Sequence, residues 1–329
     1  MRKKQKKIIA LVTGGAGFIG SHLCEELLNR NYRVICIDNL STGSKNNIKH
    51  LLKNTDFLFY KSSILNKKIM VLLIKKCDII FHMAAAVGVK LIIKDSLNSI
   101  LTNVEGTANI LRLAGKYHKK VILASSSEVY GKHDCLAITE EDDHVIGSTV
   151  VNRWSYSASK AIDEFLALGY AKVKKLHVVI IRLFNIVGPR QSDRYGMVLP
   201  AFIKQALSNQ PITIYGDGSQ ARSFAYINDA IDGIIELSIN KKAEGEIFNL
   251  GNNEPIQIKA LAEKVKEILA SKSKIVFIPY EKAYGANFED IPCRIPDISK
   301  IQACIHYMPR YNLDFIIKNT ASYIQKNKK

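Results

Sequence analysis

Short apolar runs rich in β-branched residues alternate with longer stretches of helical periodicity through residues 1–184. Runs that are apolar throughout and separated by helices are typical of strands covered on both faces of a parallel sheet. The predicted strands cover residues 8–13, 33–38, 57–60, 78–84, 120–125 and 178–184. The pattern therefore favours a parallel sheet over an antiparallel one.

Between these strands, apolar residues recur at helical spacing. Phe18, Leu23 and Leu27 mark one face of a first helix, and residues 104–117 and 156–173 predict two more. Strands that alternate with helices in this way indicate an α/β fold with a Rossmann-like, doubly wound parallel sheet.

The rhythm becomes irregular after residues 188–190, where the sequence is Gly-Pro-Arg. Helices are predicted over residues 199–208, 229–239 and 258–269, with a turn at residues 216–218. We interpret residues 1–184 as the dinucleotide-binding domain and residues 185–329 as a smaller C-terminal substrate-binding lobe. A segment near residues 225–255 is expected to return to the first domain.

A glycine-rich loop from Gly14 to Gly20 follows the first strand and opens the first helix. Glycine lets the backbone turn tightly and approach a pyrophosphate, while the helix N–H groups face that anion. Asp38 ends the second strand, where a carboxylate can accept both ribose hydroxyls and repels a 2′-phosphate. This spacing predicts a dinucleotide site that takes NAD rather than NADP.

Tyr156 and Lys160 stand at positions i and i+4 and share one face of a predicted helix. The lysine charge is expected to lower the pKa of the tyrosine, which makes the phenolate a usable base near neutral pH. The preceding strand ends in the hydroxyls and carboxylate of residues 125–128, at the sheet edge where a cofactor would lie.

The 329 residues carry 47 Lys+Arg against 30 Asp+Glu, a net charge of +17 that favours anionic partners. Eight of the positive charges lie in residues 1–7 and 326–329, and the remaining charge is dispersed. Because aromatic residues are not interleaved with this charge as in single-strand binders, nucleic acid is not expected as a partner.

The apolar runs are too short for a signal-peptide core or a bilayer span, so no membrane insertion is expected. The six cysteines form no C-x-x-C pair and the histidines are unclustered, which predicts neither a disulfide framework nor a metal site. A reduced, cytoplasmic setting is expected.

Further motifs occur in order along the chain. They are residues 13–20 (TGGAGFIG), 38–43 (DNLSTG), 82–85 (HMAA), 103–107 (NVEGT), 129–131 (VYG) and 182–185 (RLFN). Together with the tyrosine and lysine pair, they resemble the extended short-chain dehydrogenase/reductases that modify nucleotide sugars, over nearly the whole chain.

The resemblance implies that Ser126, Tyr156 and Lys160 remove the sugar C4 hydroxyl proton while hydride passes to NAD. The implied cofactor contacts are Gly14, Gly17, Phe18, Ile19, Gly20, Asp38, Asn39, Ser63, Ile64, Ala84, Ala85, Asn103, Tyr156 and Lys160. The implied substrate contacts are Ser127, Asn185, Tyr215, Arg222, Asp290 and Arg294.

Within that substrate set, the resemblance assigns Asn185 and Arg222 to the diphosphate, Tyr215 to the nucleotide base and Asp290 to the ribose. The chain departs from the family pattern at two positions. Ser63 stands where an aspartate often binds adenine, and Arg294 is expected to replace a second diphosphate arginine.

Members of this family all form a 4-keto sugar, and the additional acids and bases decide the fate of that intermediate. Ser126, Ser127 and Glu128 resemble the corresponding residues of UDP-glucuronate decarboxylases, which is the preferred prediction. A UDP-sugar 4-epimerase, an NDP-sugar 4,6-dehydratase and a catalytically silent NAD-binding regulator remain alternatives, and Glu128 could instead only order its loop. The resemblance also implies a homodimer formed through the helices at residues 104–117 and 156–173.

Overall fold

The computed structural model of the chain describes residues 6–88, 95–133, 137–192, 197–284, 289 and 291–327. The strands are β1 (Ile9–Thr13), β2 (Arg33–Asp38), β3 (Phe57–Lys61), β4 (Ile79–His82), β5 (Lys120–Ser126), β6 (Val178–Leu183), β7 (Ile186–Val187), β8 (Ile212–Tyr215), β9 (Ala221–Ser223), β10 (Ala225–Tyr226), β11 (Ile247–Leu250), β12 (Pro255–Gln257), β13 (Ile275–Ile278) and β14 (Cys293–Arg294). The α-helices are α1 (Phe18–Asn29), α2 (Lys67–Lys76), α3 (Ser96–Tyr117), α4 (Trp154–Lys174), α5 (Val198–Leu207), α6 (Ile227–Ile239), α7 (Ile258–Ile268), α8 (Tyr280–Tyr284), α9 (Ser299–Ile305) and α10 (Leu313–Lys326).

Seven strands form the central sheet in the order β3-β2-β1-β4-β5-β6-β11. Every neighbouring pair in it is parallel. From β1 the chain adds β2 and then β3 on one side of the sheet, and from β4 it adds β5 and then β6 on the other side. The strand order therefore reverses between β1 and β4. The predicted doubly wound, Rossmann-like sheet is therefore confirmed, and this reversal is where such sheets bind ligands.

Successive residues of β1 belong to different cores, because side chains alternate across a strand. Ala10 and Val12 join a cluster that includes residues of α1 and α6, such as Leu23 and Ile234. Leu11 joins a second cluster built with residues of α2, α3 and α4. Helices thus cover both faces of the sheet, which explains why the strands read as continuous apolar runs.

The residues after β6 build a lobe with three small sheets, β7 with β10, β8 with β13, and β12-β9-β14. The strand β11 leaves this region and pairs with β6 at the edge of the central sheet. Arg294 of β14 contacts Glu128, which follows β5, so the lobe meets the carboxyl end of that central strand.

Several helices differ from the sequence-based prediction. Helix α3 starts at Ser96, eight residues before the predicted start at 104. Helices α2, α8, α9 and α10 are absent from that prediction. The lysines at both ends of α2 obscure its short apolar stripe of Met70, Leu73 and Ile74. Asn66 caps this helix by accepting a hydrogen bond from the Ile69 N–H (3.3 Å).

Within the described ranges, no helix combines the length and apolar character needed to cross a membrane.

Candidate active site

The glycine-rich loop forms a narrow bend between β1 and α1. Gly14 has φ +66°, a backbone conformation that strains residues with a side chain, and a Cβ there would lie 2.8 Å from Ala84 Cα. Glycine is therefore required at this position. Gly17 is the N-cap of α1 and supplies no side-chain cap, which leaves the first-turn N–H groups available to an anion. The loop therefore fits a dinucleotide pyrophosphate.

Asp38 lies beside this loop at the end of β2. Its Oδ2 accepts a hydrogen bond from the Ala16 N–H (3.0 Å) and its Oδ1 accepts one from the Leu40 N–H (2.7 Å). Burial raises the pKa of Asp38, and these backbone N–H groups oppose that rise. Each carboxylate oxygen keeps further acceptor capacity, which suits the two hydroxyls of an adenosine ribose. The side-chain oxygen of the next residue, Asn39, accepts a hydrogen bond from the Ser41 N–H (3.0 Å) within the same loop.

Three other predicted cofactor residues support neighbouring loops. Ser63 Oγ accepts from the Leu65 N–H (3.2 Å), so the serine shapes the turn after β3. Ile64 is buried against Gly106 of α3, where a Cβ would overlap its Cδ1 atom. Asn103 Oδ1 accepts from the Ala86 N–H (2.8 Å) and thereby holds the segment containing Ala84 and Ala85 against α3.

A buried hydrogen-bond chain joins the same segment to the sheet. His82 Nδ1 lies 2.8 Å from Thr13 Oγ1, and His82 Nε2 lies 3.1 Å from Thr107 Oγ1. The Thr13 hydroxyl also accepts from the Ala84 N–H (3.2 Å). Burial, aided by the charge of Lys160, lowers the pKa of His82 to about 3, so the imidazole is neutral.

The reacting centre lies where β5 ends and α4 begins. Ser126 Oγ accepts from the Glu128 N–H (3.2 Å) and starts a 3₁₀ turn over Ser127–Tyr130. Tyr156, in the first turn of α4, is buried and hydrogen-bonded to the Ser126 side chain. The predicted serine and tyrosine are therefore brought together, with Ser127 buried next to them.

The lysine of the predicted pair is itself paired with a carboxylate. The Lys160 ammonium is buried and donates to Asp163 Oδ2 (2.7 Å), a residue three positions further along α4. Burial raises the pKa of Tyr156, and the negative charges of Glu128 and Asp163 add to that rise. The sequence analysis did not foresee this carboxylate beside Lys160.

Glu128 is clamped by two arginines from distant parts of the chain. Arg153 donates to both of its oxygens (2.5 and 3.3 Å), and Arg294 donates to Oε1 (3.2 Å). Burial alone would raise the pKa of Glu128, but the charges of Arg153, Arg294 and Arg222 outweigh it and lower the pKa. Glu128 is therefore a carboxylate anion at neutral pH.

Three of the predicted substrate residues, Asn185, Arg222 and Arg294, lie around Glu128. Arg294 also donates to Asn185 Oδ1 (3.3 Å), which places both at the reacting centre. Arg222 is buried and donates to the backbone carbonyls of Ala221 and Ile291 (2.8 and 2.7 Å). The predicted ribose contact, Asp290, lies outside the described residues.

Tyr215 ends β8 before the turn at Gly216, and the structure adds a second aromatic ring there. A Cβ on Gly216 would lie 2.5 Å from the Tyr280 ring, so that ring covers the turn. Gln220 donates to the Tyr280 hydroxyl (2.8 Å) and to the Tyr215 carbonyl (3.0 Å). Tyr280 is therefore a candidate base contact that sequence reasoning missed.

Arg153, Asp163 and Thr107 are also site residues to which the sequence analysis assigned no role. Each lies within or beside a recognised motif, and this position was the only sign in the sequence that it could belong to the site. The sequence did not show which charged or polar group each residue contacts. Among the described residues, no group of three His, Cys, Asp or Glu side chains is arranged to hold a metal ion.

Comparison with known proteins identifies the family. The model of the NAD dependent epimerase/dehydratase family matches residues 10–251. The chain is 42% identical over 317 residues to a UDP-N-acetyl-alpha-D-glucosaminuronate decarboxylase from Bacillus cytotoxicus. This alignment covers 96% of this chain and 97% of that protein. It is 35% identical over 311 residues to UDP-glucuronic acid decarboxylase 1 from Arabidopsis thaliana, covering 94% of this chain and 68% of that protein.

A solved structure of UDP-glucuronic acid 4-epimerase from Bacillus cereus, in complex with UDP-glucuronic acid and NAD, has a TM-score of 0.88 to this chain. The two are 32% identical, and the match covers 97% of this chain and 99% of that chain. Since the family model spans more than half of the sequence and a relative aligned along almost all of it is 42% identical, the chain belongs to the NAD dependent epimerase/dehydratase family and is an NAD-dependent enzyme.

Proposed function

We propose that this enzyme decarboxylates a UDP-hexuronic acid, with UDP-N-acetylglucosaminuronate and UDP-glucuronate as the candidate substrates. The relatives at 42% and 35% identity are named as decarboxylases of these two compounds. The observation in the structure that carries the proposal is the charge around Glu128.

Three guanidinium groups, those of Arg153, Arg222 and Arg294, act on the one carboxylate of Glu128. Counted as formal charges, the cluster of Glu128 and its three arginines carries an excess of positive charge. An arginine fork matches a carboxylate in shape and charge, so the excess favours a sugar that carries a carboxylate over a neutral sugar.

The first step is oxidation at the sugar C4 carbon. Tyr156, supported by the Ser126 hydroxyl, removes the C4 hydroxyl proton as the C4–H bond breaks. When bound, NAD supplies the hydride acceptor for this carbon and returns the hydride at the end. Lys160 and the N-terminus of α1 position the ribose and the pyrophosphate.

The 4-keto group then activates the acid at C5. The C5–C6 bond breaks, carbon dioxide leaves, and the bonding electron pair moves toward the C4 carbonyl as an enolate. Protonation at C5, return of hydride to C4 and return of the proton from Tyr156 to the C4 oxygen would give the UDP-pentose. Arg153 and Arg294, which are held in place by Glu128, would bind the substrate carboxylate and stabilise the enolate charge.

The ionised state of Glu128 argues against a 4,6-dehydratase. That reaction needs a protonated group to expel the C6 hydroxyl, whereas the arginines keep Glu128 deprotonated. A 4-epimerase needs only Ser126, Tyr156 and Lys160, and the structural match to a UDP-glucuronic acid 4-epimerase favours it as the second candidate.

The test is product analysis by mass spectrometry after incubation with NAD and each UDP-uronate separately. We expect release of one carbon dioxide per sugar and a UDP-pentose, or its acetamido counterpart, that has lost the C6 carboxyl carbon and keeps the ring carbons. A product that keeps C6 would identify an epimerase and reject the proposal. Tyr156→Phe serves as the matched control, because loss of one hydroxyl should abolish turnover while the fold remains.

We propose in addition that the enzyme is a homodimer joined through α3 and α4. These helices pack on each other and still expose apolar side chains, including Leu97 (66% exposed), Ile162 (44%), Phe165 (71%) and Val173 (72%). An apolar face of this kind on two adjacent helices fits a second copy as a four-helix contact.

A further inference from the structure

The amino ends of the seven central strands lie together at the edge of the sheet opposite the reacting centre. Because these strands are all parallel, every connection that leads into one of them reaches this same edge. The connections cover residues 6–8, 30–33, 52–56, 75–78, 116–120, 172–177 and 240–246. We call these residues the amino-edge surface.

The amino-edge surface carries much of the positive charge of the chain. It holds 15 Lys and Arg residues against four Asp and Glu residues, an excess of 11 within the net charge of +17. This charge is dispersed in the sequence, because each connection contributes only one to three basic residues. Folding gathers it on one side of the molecule.

Contacts between the connections show that they adjoin one another. The Lys7 ammonium, before β1, lies 2.6 Å from Oδ2 of Asp56, before β3. The ammonium groups of Lys75 and Lys116, at the ends of α2 and α3, lie 5.4 and 5.7 Å from the centre of the same Tyr117 ring. Basic residues from different connections therefore lie side by side.

Most of this charge is not neutralised. Lys7, Arg30, Arg33 and Lys120 pair with carboxylates. The other eleven basic residues are all lysines, and none of them has an ion pair within the part of the chain that the structure describes. Basic residues commonly complement the dipole at a helix C-terminus, but only five of the fifteen lie in the last turn of an α-helix. Helix dipoles therefore do not account for the excess.

Exposed apolar side chains lie among these lysines. Ile8 is 47% exposed, Leu52 is 39% exposed, and Ile239, which precedes residues 240–246, is 59% exposed. A partner that covers apolar side chains as well as lysines fits this surface better than a purely polar polyanion does. A bilayer surface offers both contacts, because its acyl chains begin just beneath its anionic head groups.

The size of the surface and the kind of charge on it fit the same partner. Seven adjacent strands give this edge a width of about 29 Å, which is broad enough to face many lipid head groups at once. Thirteen of the fifteen basic residues are lysines. The compact lysine ammonium is attracted to any anionic surface, whereas recognition of individual phosphates favours the planar arginine fork.

We propose that the amino-edge surface docks the enzyme on an anionic lipid membrane through its lysine charges and through shallow burial of Ile8 and Ile239. Asp38 and Ser126 lie at the opposite, carboxyl ends of their strands. The active site therefore faces away from the membrane and stays open to its substrate. The inference does not depend on which sugar the enzyme converts.

The experiment is co-sedimentation of the full-length enzyme with lipid vesicles. We expect the wild type to sediment with vesicles that contain phosphatidylglycerol and to stay in solution with vesicles of phosphatidylcholine alone. Binding should be lost in about 1 M NaCl, where charges are screened beyond about 3 Å. Absence of binding to the phosphatidylglycerol vesicles at low salt would overturn the proposal.

Two variants with the same change in net charge locate the binding surface. The first replaces four exposed lysines of four different connections, Lys53→Gln, Lys76→Gln, Lys174→Gln and Lys242→Gln. The second replaces four exposed lysines elsewhere, Lys67→Gln, Lys68→Gln, Lys272→Gln and Lys318→Gln, of which the first two lie at the opposite end of α2.

The first variant should lose about 10²-fold or more in vesicle affinity, since each lysine near an anionic surface contributes about fivefold. The second variant should bind like the wild type. An equal loss in both variants would assign the binding to net charge alone and overturn the proposal. Both should bind NAD normally by fluorescence of Trp154, the one tryptophan in the chain, which shows that they fold.

A third variant separates a membrane from a nucleic acid. Ile8→Ser with Ile239→Ser leaves the charge unchanged and should lower vesicle affinity about tenfold, because less apolar surface is buried. Single-stranded DNA at the same phosphate concentration should not displace the wild type from the vesicles. Unchanged vesicle affinity in this variant, or displacement by the DNA, would overturn the membrane as the partner.

Discussion

At the scale of single residues, charge pairing decides which groups can act as acids or bases. Near Tyr156, Glu128 is largely buried and Asp163 fully buried, and each is paired with a cation. In a site with little water such pairs fix geometry as well as protonation, because breaking either one leaves an isolated buried charge.

Glu128→Gln tests the residue that the proposal places between the arginines. The amide keeps the shape of the side chain but removes the negative charge that orients Arg153 and Arg294. We expect kcat to fall by about 10²-fold or more, measured as carbon dioxide release, with NAD affinity unchanged by Trp154 fluorescence. Full activity in this variant would show that Glu128 only orders its loop.

At the scale of the elements, the site is assembled from the ends of strands. Thr13, Asp38, His82 and Ser126 each end one of the strands β1, β2, β4 and β5. Because all of these strands are parallel, their carboxyl ends meet at one edge of the sheet. This placement could be predicted from the sequence, since it needs only the strand boundaries and the parallel order.

The contacts that hold these ends together predict an acid-sensitive fold. His82 has its pKa lowered from 6.5 to about 3, so between these values the unfolded chain binds a proton that the folded chain does not. The contribution of this group to the free energy of unfolding is therefore fully present above pH 6.5. It decreases as the pH falls below 6.5, by up to about 1.4 kcal/mol per pH unit.

Urea unfolding of the wild type and of His82→Gln at pH 7 and pH 5 measures this contribution. The wild type should lose about 2 kcal/mol more than His82→Gln on acidification, by the same relation. His306→Gln, an exposed position after α9, is the control and should keep the wild-type difference. An equal loss in wild type and His82→Gln would contradict the assignment of a neutral buried imidazole.

At the scale of the whole molecule, the lobe completes the site. Arg294 comes from β14 and meets Glu128, which follows β5, so the reacting centre exists only when lobe and sheet are joined. Part of the positive charge behind the net value of +17 lies at this centre, where three arginines surround one carboxylate.

The proposed dimer belongs to this scale. Phe165→Glu places a charge on the exposed apolar face of α4, where pairing with a second copy would bury it without a partner. We expect the wild type to have the mass of two chains and Phe165→Glu the mass of one, by light scattering after size exclusion. Met308→Glu changes an equally exposed residue away from α3 and α4, and it should leave the mass unchanged. A monomeric wild type would reject the dimer.

The sequence by itself determined the parallel sheet, the glycine-rich cradle with Asp38, and the placing of Ser126 and Tyr156. These features depend on periodicity, glycine geometry and short spacings, which neighbouring residues impose on one another. Only the tertiary structure decided that Glu128 meets Arg153 and Arg294, and that the pair of Lys160 and Asp163, three residues apart on one helix, is fully buried. Contacts between distant residues and the burial of a pair depend on packing, which no local pattern in the chain specifies.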